Sequence, residues 1–254
     1  MDAGEATLLA ERFVQRDDAR RRFDRAILQQ EKRRRGAVVE RMKQEHPVLG
    51  TVLAPLAHLV LLDDDLRDWE KGQSGESGVS RMLKRLPKPW CYLDDVVLER
   101  KPDEFMQIDH IAVGPGGVVA IETKNWHGAV QGYKDVWKVK AHGTWQRVDV
   151  GPTRQAVWHA HALQAYLTGV GFPMRVAPVV VFVSPDWLRV DRCSCPVFSD
   201  VGALRDHLLS LDVGEEASPE LYRDVARTIS ESYELDVTSA SGPEGRAPSP
   251  KQGP

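Results

Sequence analysis

The spacing of hydrophobic positions changes several times along the chain. Up to about residue 45, Leu8, Leu9, Phe13, Phe23, Ile27 and Leu28 form a thin apolar stripe in a background of Ala, Glu, Arg and Gln. No glycine stands between Gly4 and Gly36 and no proline before Pro47. The spacing therefore predicts one long charged helix, whose narrow seam suits helix pairing or a coiled coil better than a core. Further helices are predicted over 55–71 and 74–86. The period then falls from 3.6 to 2, predicting strands over 92–99, 107–113, 118–124, 129–133, 136–140 and 144–148. Pro152 opens a helix reaching about Leu167, and Val179 to Val183 reads as a strand covered on both faces. Two last helices follow over 200–211, with Asp200 as N-cap, and 218–233, with Ser218 as cap and Pro219 at the first helical position. From Val237 onward the chain is Ser, Gly and Pro with few large apolar groups, which predicts a disordered tail over 237–254. The expected division is a helical extension over 1–70, a domain over 71–236 and that tail.

Composition narrows the reading. Of 254 residues 42% are hydrophobic and 28% charged, as in a soluble globular chain. The formal net charge of -3 excludes a protein that grips nucleic acid through bulk positive charge. The charge is uneven: between Arg16 and Lys43 eleven Lys and Arg face five Asp and Glu, a local +6 that leaves -9 elsewhere. Three cysteines, Cys91, Cys193 and Cys195, are too few for a disulfide framework or a four-thiolate zinc site, so a reducing cytoplasm is the expected compartment. The acidic N-terminus lacks the pattern of a targeting segment. The mostly apolar stretch from Pro47 to Leu62 falls short of the roughly 20 residues of a spanning helix, so no stable membrane insertion is expected.

The densest chemistry lies between Gln107 and Lys124. Two strand-like runs flank Gly114-Pro115-Gly116-Gly117, a strong hairpin signal. If Gly114 faces Gly117, the same register sets Asp109 opposite Glu122 on one face. A bulge at Gly117 would shift that register by one and leave both acids solvated or salt-bridged. Facing carboxylates away from water are tolerable only with positive charge between them, and a hard divalent cation such as Mg²⁺ or Mn²⁺ suits carboxylate oxygen. Lys124, two residues past Glu122, points to the same face and could position a water or steady charge on a phosphate. Glu76 shares a helical stripe with Val79 and Leu83 and supplies a third candidate carboxylate, or a simple helix-dipole partner. Gln155 and His159 fall on one helix face; Gln155 could hold a phosphate or a water, whereas His159 and His161 read as ordinary helix residues. His110 and His127 point to the other sheet face or to a loop.

Gly72-x-x-Gly75-Glu76, Gln107-Ile-Asp-His110, Val113-Gly-Pro-x-Gly-Val118 and Ile121-Glu-Thr-Lys-Asn-Trp-x-Gly128, followed by Gln155, His159 and Leu163, resemble the NERD (nuclease-related) domain over about residues 72–183. The resemblance implies the PD-(D/E)xK phosphodiesterase superfamily: an α/β fold with a mixed β-sheet flanked by helices, a restriction-endonuclease-like core. It implies Asp109 and Glu122 as metal ligands joined by Glu76 as the helix-borne acid, Lys124 as the catalytic lysine and Gln155 as an auxiliary polar residue. Ile108 stands where the superfamily name has proline. The expected function is a Mg²⁺- or Mn²⁺-dependent nuclease acting on nucleic acid, DNA foremost. The alternative is a non-catalytic nucleic-acid-binding or oligomerising module that keeps the fold, with the N-terminal helix supporting a homodimer.

Overall fold

The computed structural model describes residues 9–18, 20–29, 33, 76–101, 104–141, 143–211 and 218–232. Its frame is a six-stranded sheet in the order β1-β2-β3-β4-β8-β10. The strands are β1 (Glu11–Phe13), β2 (Cys91–Lys101), β3 (Glu104–Gly114), β4 (Gly117–Lys124), β8 (Val176–Phe182) and β10 (Val197–Phe198). β2, β3 and β4 are antiparallel neighbours, whereas β1, β8 and β10 join in parallel. Helices cover both faces, which makes this the mixed α/β core that the motifs imply. On one face Leu93, Ile111, Val113, Val118 and Ala120 pack against α3 (Pro152–Gly169) and α5 (Pro219–Glu231). On the other, Tyr92, Ala112, Val119 and Ile121 meet α2 (residues 76–83) and α4 (Val201–Ser210). β8 is buried on both faces, as its valine run requires.

A second sheet, in the order β7-β6-β5-β9, comprises β5 (Ala129–Tyr133), β6 (Val136–Ala141), β7 (Thr144–Val148) and β9 (Trp187–Asp191). Its inner face closes over Trp137, which stacks on Phe182 with centroids 5.3 Å apart and donates Nε1–H to Thr153 Oγ1 at 3.0 Å. Two glycines make room for that indole: a Cβ at Gly132 would lie 2.8 Å from the ring and one at Gly151 2.5 Å. Gly128, at φ +85°, turns the chain from β4 into this sheet.

Several expectations fall where local pattern predicts. The helix caps hold: Asp200 accepts from Ala203 N–H and Ser218 from Leu221 N–H. The N-terminal region differs. Instead of continuous helix, Glu11–Phe13 forms the edge strand β1, paired with Cys91 to Leu93, because β2 otherwise presents an open row of backbone groups and Phe13 can cover the core there. Gln15 extends that edge, its side chain accepting from Val97 N–H at 2.8 Å and donating to Val97 O at 2.7 Å. Residues 20–29 are helical (α1) and dock on their own domain: Phe23 packs edge-on to Phe105, and Arg22 pairs with buried Glu99 at 2.6 Å. The helix predicted over 55–71, the apolar stretch 47–62 and the tail 237–254 lie outside the described residues. β9 and β10 were not expected. Among the described residues, no helix is long and apolar enough to cross a membrane.

Candidate active site

The site sits where three strands part. The β3–β4 pairing runs from Gly114 opposite Gly117 to His110 opposite Ile121, and stops one step before Asp109 and Glu122. Thus no bulge intervenes at Gly117, yet the two acids are not a ladder pair. The β2–β3 ladder explains why. Asp94 pairs with His110 and Val96 with Ile108, while Asp95 and Asp109 between them drop out. Asp95 adopts φ +57°, a left-handed conformation that Asp tolerates better than most residues. The inward face is carried by Cys91 and Leu93 before this break and by Val96 and Leu98 after it. Asp109 is thereby released from both ladders, and its Oδ2 accepts Thr123 N–H at 2.7 Å in place of a backbone partner.

Glu122 lies on the α3 side of β4, only 2% exposed. Its Oε1 accepts from Lys124 Nζ at 2.5 Å, and its Oε2 stands 3.3 Å from His159 Nδ1 without the alignment of a hydrogen bond. Lys124 Nζ also donates to Gln155 Oε1 at 3.3 Å. Gln155 is held by the first turn of α3, whose start Pro152 fixes. Four of the expected residues, Asp109, Glu122, Lys124 and Gln155, are therefore brought together. Glu76, half-buried at the start of α2, senses the charge of Glu122.

His159 corrects the reading of an ordinary helix residue: it is buried and faces Glu122. Its signal was its position four residues after Gln155, on the same helical face. His110 does point to the other sheet face, where Asp94 Oδ1 lies 2.8 Å from its Nδ1 and Ser80 donates to Asp94 Oδ2 at 2.6 Å.

The electrostatics follow from burial. Desolvation, with the Glu122 charge added, pushes the Asp109 carboxyl up to about 7, against partial relief from Thr123 N–H and Lys124. Burial pushes Glu122 up too, but His159 and Lys124 together outweigh it and hold the group below its ordinary value. Glu76 is raised, by burial first. Two neighbouring carboxyls are thus driven apart, one ready to carry a proton and one ionised, a pattern common at functional sites.

Asp109 and Glu122 could hold a hard divalent cation. Glu122 Oε2 is buried without a hydrogen-bond partner, and Mg²⁺ takes one or two protein carboxylates while keeping waters and substrate phosphate oxygens. A cation there would be the largest local charge and would reverse the upward push on Asp109. Among the described residues, no three His, Cys, Asp or Glu side chains are gathered into a set that could hold a metal ion by themselves. The three thiols are free, with Cys91 and Cys195 buried.

Residues 71–183 match the family model described as the nuclease-related domain, NERD. An uncharacterized protein of Bacillus anthracis is 38% identical over 86 residues, covering 34% of this chain and 39% of that protein. The chain thus spans about two fifths of the relative it matches. No solved structure matches it.

Proposed function

We propose, from the nuclease-related domain carried by residues 71–183, that this protein is a divalent-metal-dependent nuclease that hydrolyses nucleic-acid phosphodiester bonds, DNA foremost. The observation that supports the reading most is the release of Asp109 from both strand ladders beside an ionised, lysine-paired Glu122. A buried acid beside a second, half-buried one is costly unless positive charge lies between or beside them.

Asp109 and Glu122 would hold Mg²⁺ or Mn²⁺ together with waters and phosphate oxygens, while Glu76, which is not gathered with them into a three-ligand set, would add only its charge from the start of α2. When bound, such an ion polarises the phosphate and makes water a stronger nucleophile at neutral pH. Lys124 spends two of its three N–H donors on Glu122 and Gln155, which fixes Nζ and leaves one donor for a phosphate oxygen as charge develops. Gln155 orients that ammonium. His159 keeps Glu122 ionised in a site that otherwise favours the neutral acid. Free thiols agree with the reducing cytoplasm proposed as its compartment.

The test is cleavage of plasmid and of labelled oligonucleotides with Mg²⁺ or Mn²⁺. Lys124→Ala and Asp109→Asn are each expected to slow cleavage by about 10²-fold or more, the usual cost of losing one group that stabilises charge in the transition state. Both variants cleaving as fast as the parent would refute these roles.

A further inference from the structure

The second sheet has an outer face that the carboxylate site does not use. Along β5, β6, β7 and β9 the side chains alternate, with Val130, Trp137, Leu188 and Val190 turned to the core. The residues between them face solvent, and the register sets them in rungs. Trp145 is opposite Lys140 at one side of the first rung, and Trp187 is opposite Ala129 at the other. In the next rung Arg147 is opposite Lys138, which faces Gln131, which faces Arg189. The two indoles lean together, centroids 6.3 Å apart at 59°, yet remain 41% and 47% exposed. Four exposed cations, Lys138, Lys140, Arg147 and Arg189, surround them. The acid that alternation adds to this face, Asp191, lies 3.3 Å from Arg192 Nε and is offset by it. In a chain of net charge -3, this concentrates positive charge and aromatic surface on one face.

We propose that this face binds a single-stranded polynucleotide, with bases stacked on Trp145 and Trp187 and phosphates paired with Lys138, Lys140, Arg147 and Arg189. The inference rests on the nuclease reading and names its substrate class: the strand reaching Asp109 and Glu122 is unpaired. Stacking on an indole needs a free base face, which a duplex hides, while cations between the rings match the charge of the linking phosphates. The apolar surface is two separate rings set among charges, which suits bases on a phosphate chain better than a lipid interior. The face is also close to the chemistry. Only residues 125–128 separate Lys124 from β5, so it begins within about 18 Å of that lysine along the chain. Gly128 O accepts from Asp186 N–H at 3.1 Å and from Trp187 N–H at 3.4 Å, tying β9 to the same junction.

The experiment uses the full chain in EDTA, so that binding is read without cleavage. Fluorescence anisotropy is measured with labelled dT20, U20 and a hairpin duplex of equal length, and sedimentation with anionic phosphatidylserine vesicles. Single strands are expected to bind more tightly than the hairpin, with dT20 against U20 reporting the preferred sugar. Trp145→Ala with Trp187→Ala should weaken dT20 or U20 binding at least tenfold. Lys138→Glu with Arg147→Glu, both at exposed positions that leave the core intact by circular dichroism, should weaken it further and reduce the salt slope by about 1.4. Double variants that bind like the parent, or a hairpin bound as tightly as single strands, would overturn the proposal; so would vesicle binding through these residues without polynucleotide binding. Single-strand binding through this face with no metal-stimulated cleavage would remove the nuclease reading and leave the surface standing. Cleavage that is unchanged in both double variants would do the reverse.

Discussion

Asp109 carries a measurable penalty for its position. Its carboxyl titrates near 3.8 in the unfolded chain and is pushed up to about 7 in the fold, by burial and by Glu122. Between those values the unfolded chain has released the proton while the folded one retains it, so stability falls as pH rises through this window. From pH 5 to pH 8 the wild-type protein should lose about 3 kcal/mol through this one group, at 1.36 kcal/mol for each pH unit up to about 7. Asp109→Asn keeps an acceptor for Thr123 N–H but cannot ionise, so it escapes that loss. Any cost of burying the amide is the same at both pH values and cancels in the comparison. Urea unfolding of parent and variant in EDTA at pH 5 and pH 8 reads the double difference directly. The variant is expected to gain about 3 kcal/mol on the parent over that interval, and adding Mg²⁺ at pH 8 should stabilise the parent alone. A double difference under about 1 kcal/mol, or one of opposite sign, would show that Asp109 is not held in a desolvated, like-charged setting.

Two further outcomes test neighbouring parts of the argument. His159→Phe removes one of the two groups that hold Glu122 ionised, so protons should compete better with the cation; Mg²⁺ affinity by calorimetry should fall about tenfold at pH 6 and less at pH 8.5. An unchanged pH profile would exclude that role. Gly132→Ala sets a Cβ 2.8 Å from the Trp137 ring, and overpacking there should cost about 1–3 kcal/mol in urea unfolding; a variant as stable as the parent would mean the indole can shift freely.

The relation between pattern and fold divides by sequence separation. The β3–β4 hairpin, its register from Gly114 to His110, the Asp200 and Ser218 caps and the start of α3 at Pro152 all rest on neighbours a few residues apart. Turn chemistry, alternation and capping suffice for them, and they brought Asp109, Glu122, Lys124 and Gln155 into view as one set. The remaining features depend on partners far along the chain. Glu11–Phe13 is a strand because β2, some 80 residues later, has an edge to cover; its local composition favours helix. β9 and β10 exist as parallel partners of β5 and β8, a pairing that short-range periodicity does not encode.

The same limit applies inside the site. The residues of the Asp109–Glu122 pair were legible from the chain alone, but their arrangement was not. A regular hairpin would have set them opposite one another in a ladder. The opposed break at Asp95 and Asp109 instead frees one acid, and the packing of α3 places His159 on the other. Alternation along a strand names which residues share a face. Only the contacts between strands and helices decide where a ladder opens, and so which buried charge is left to be neutralised.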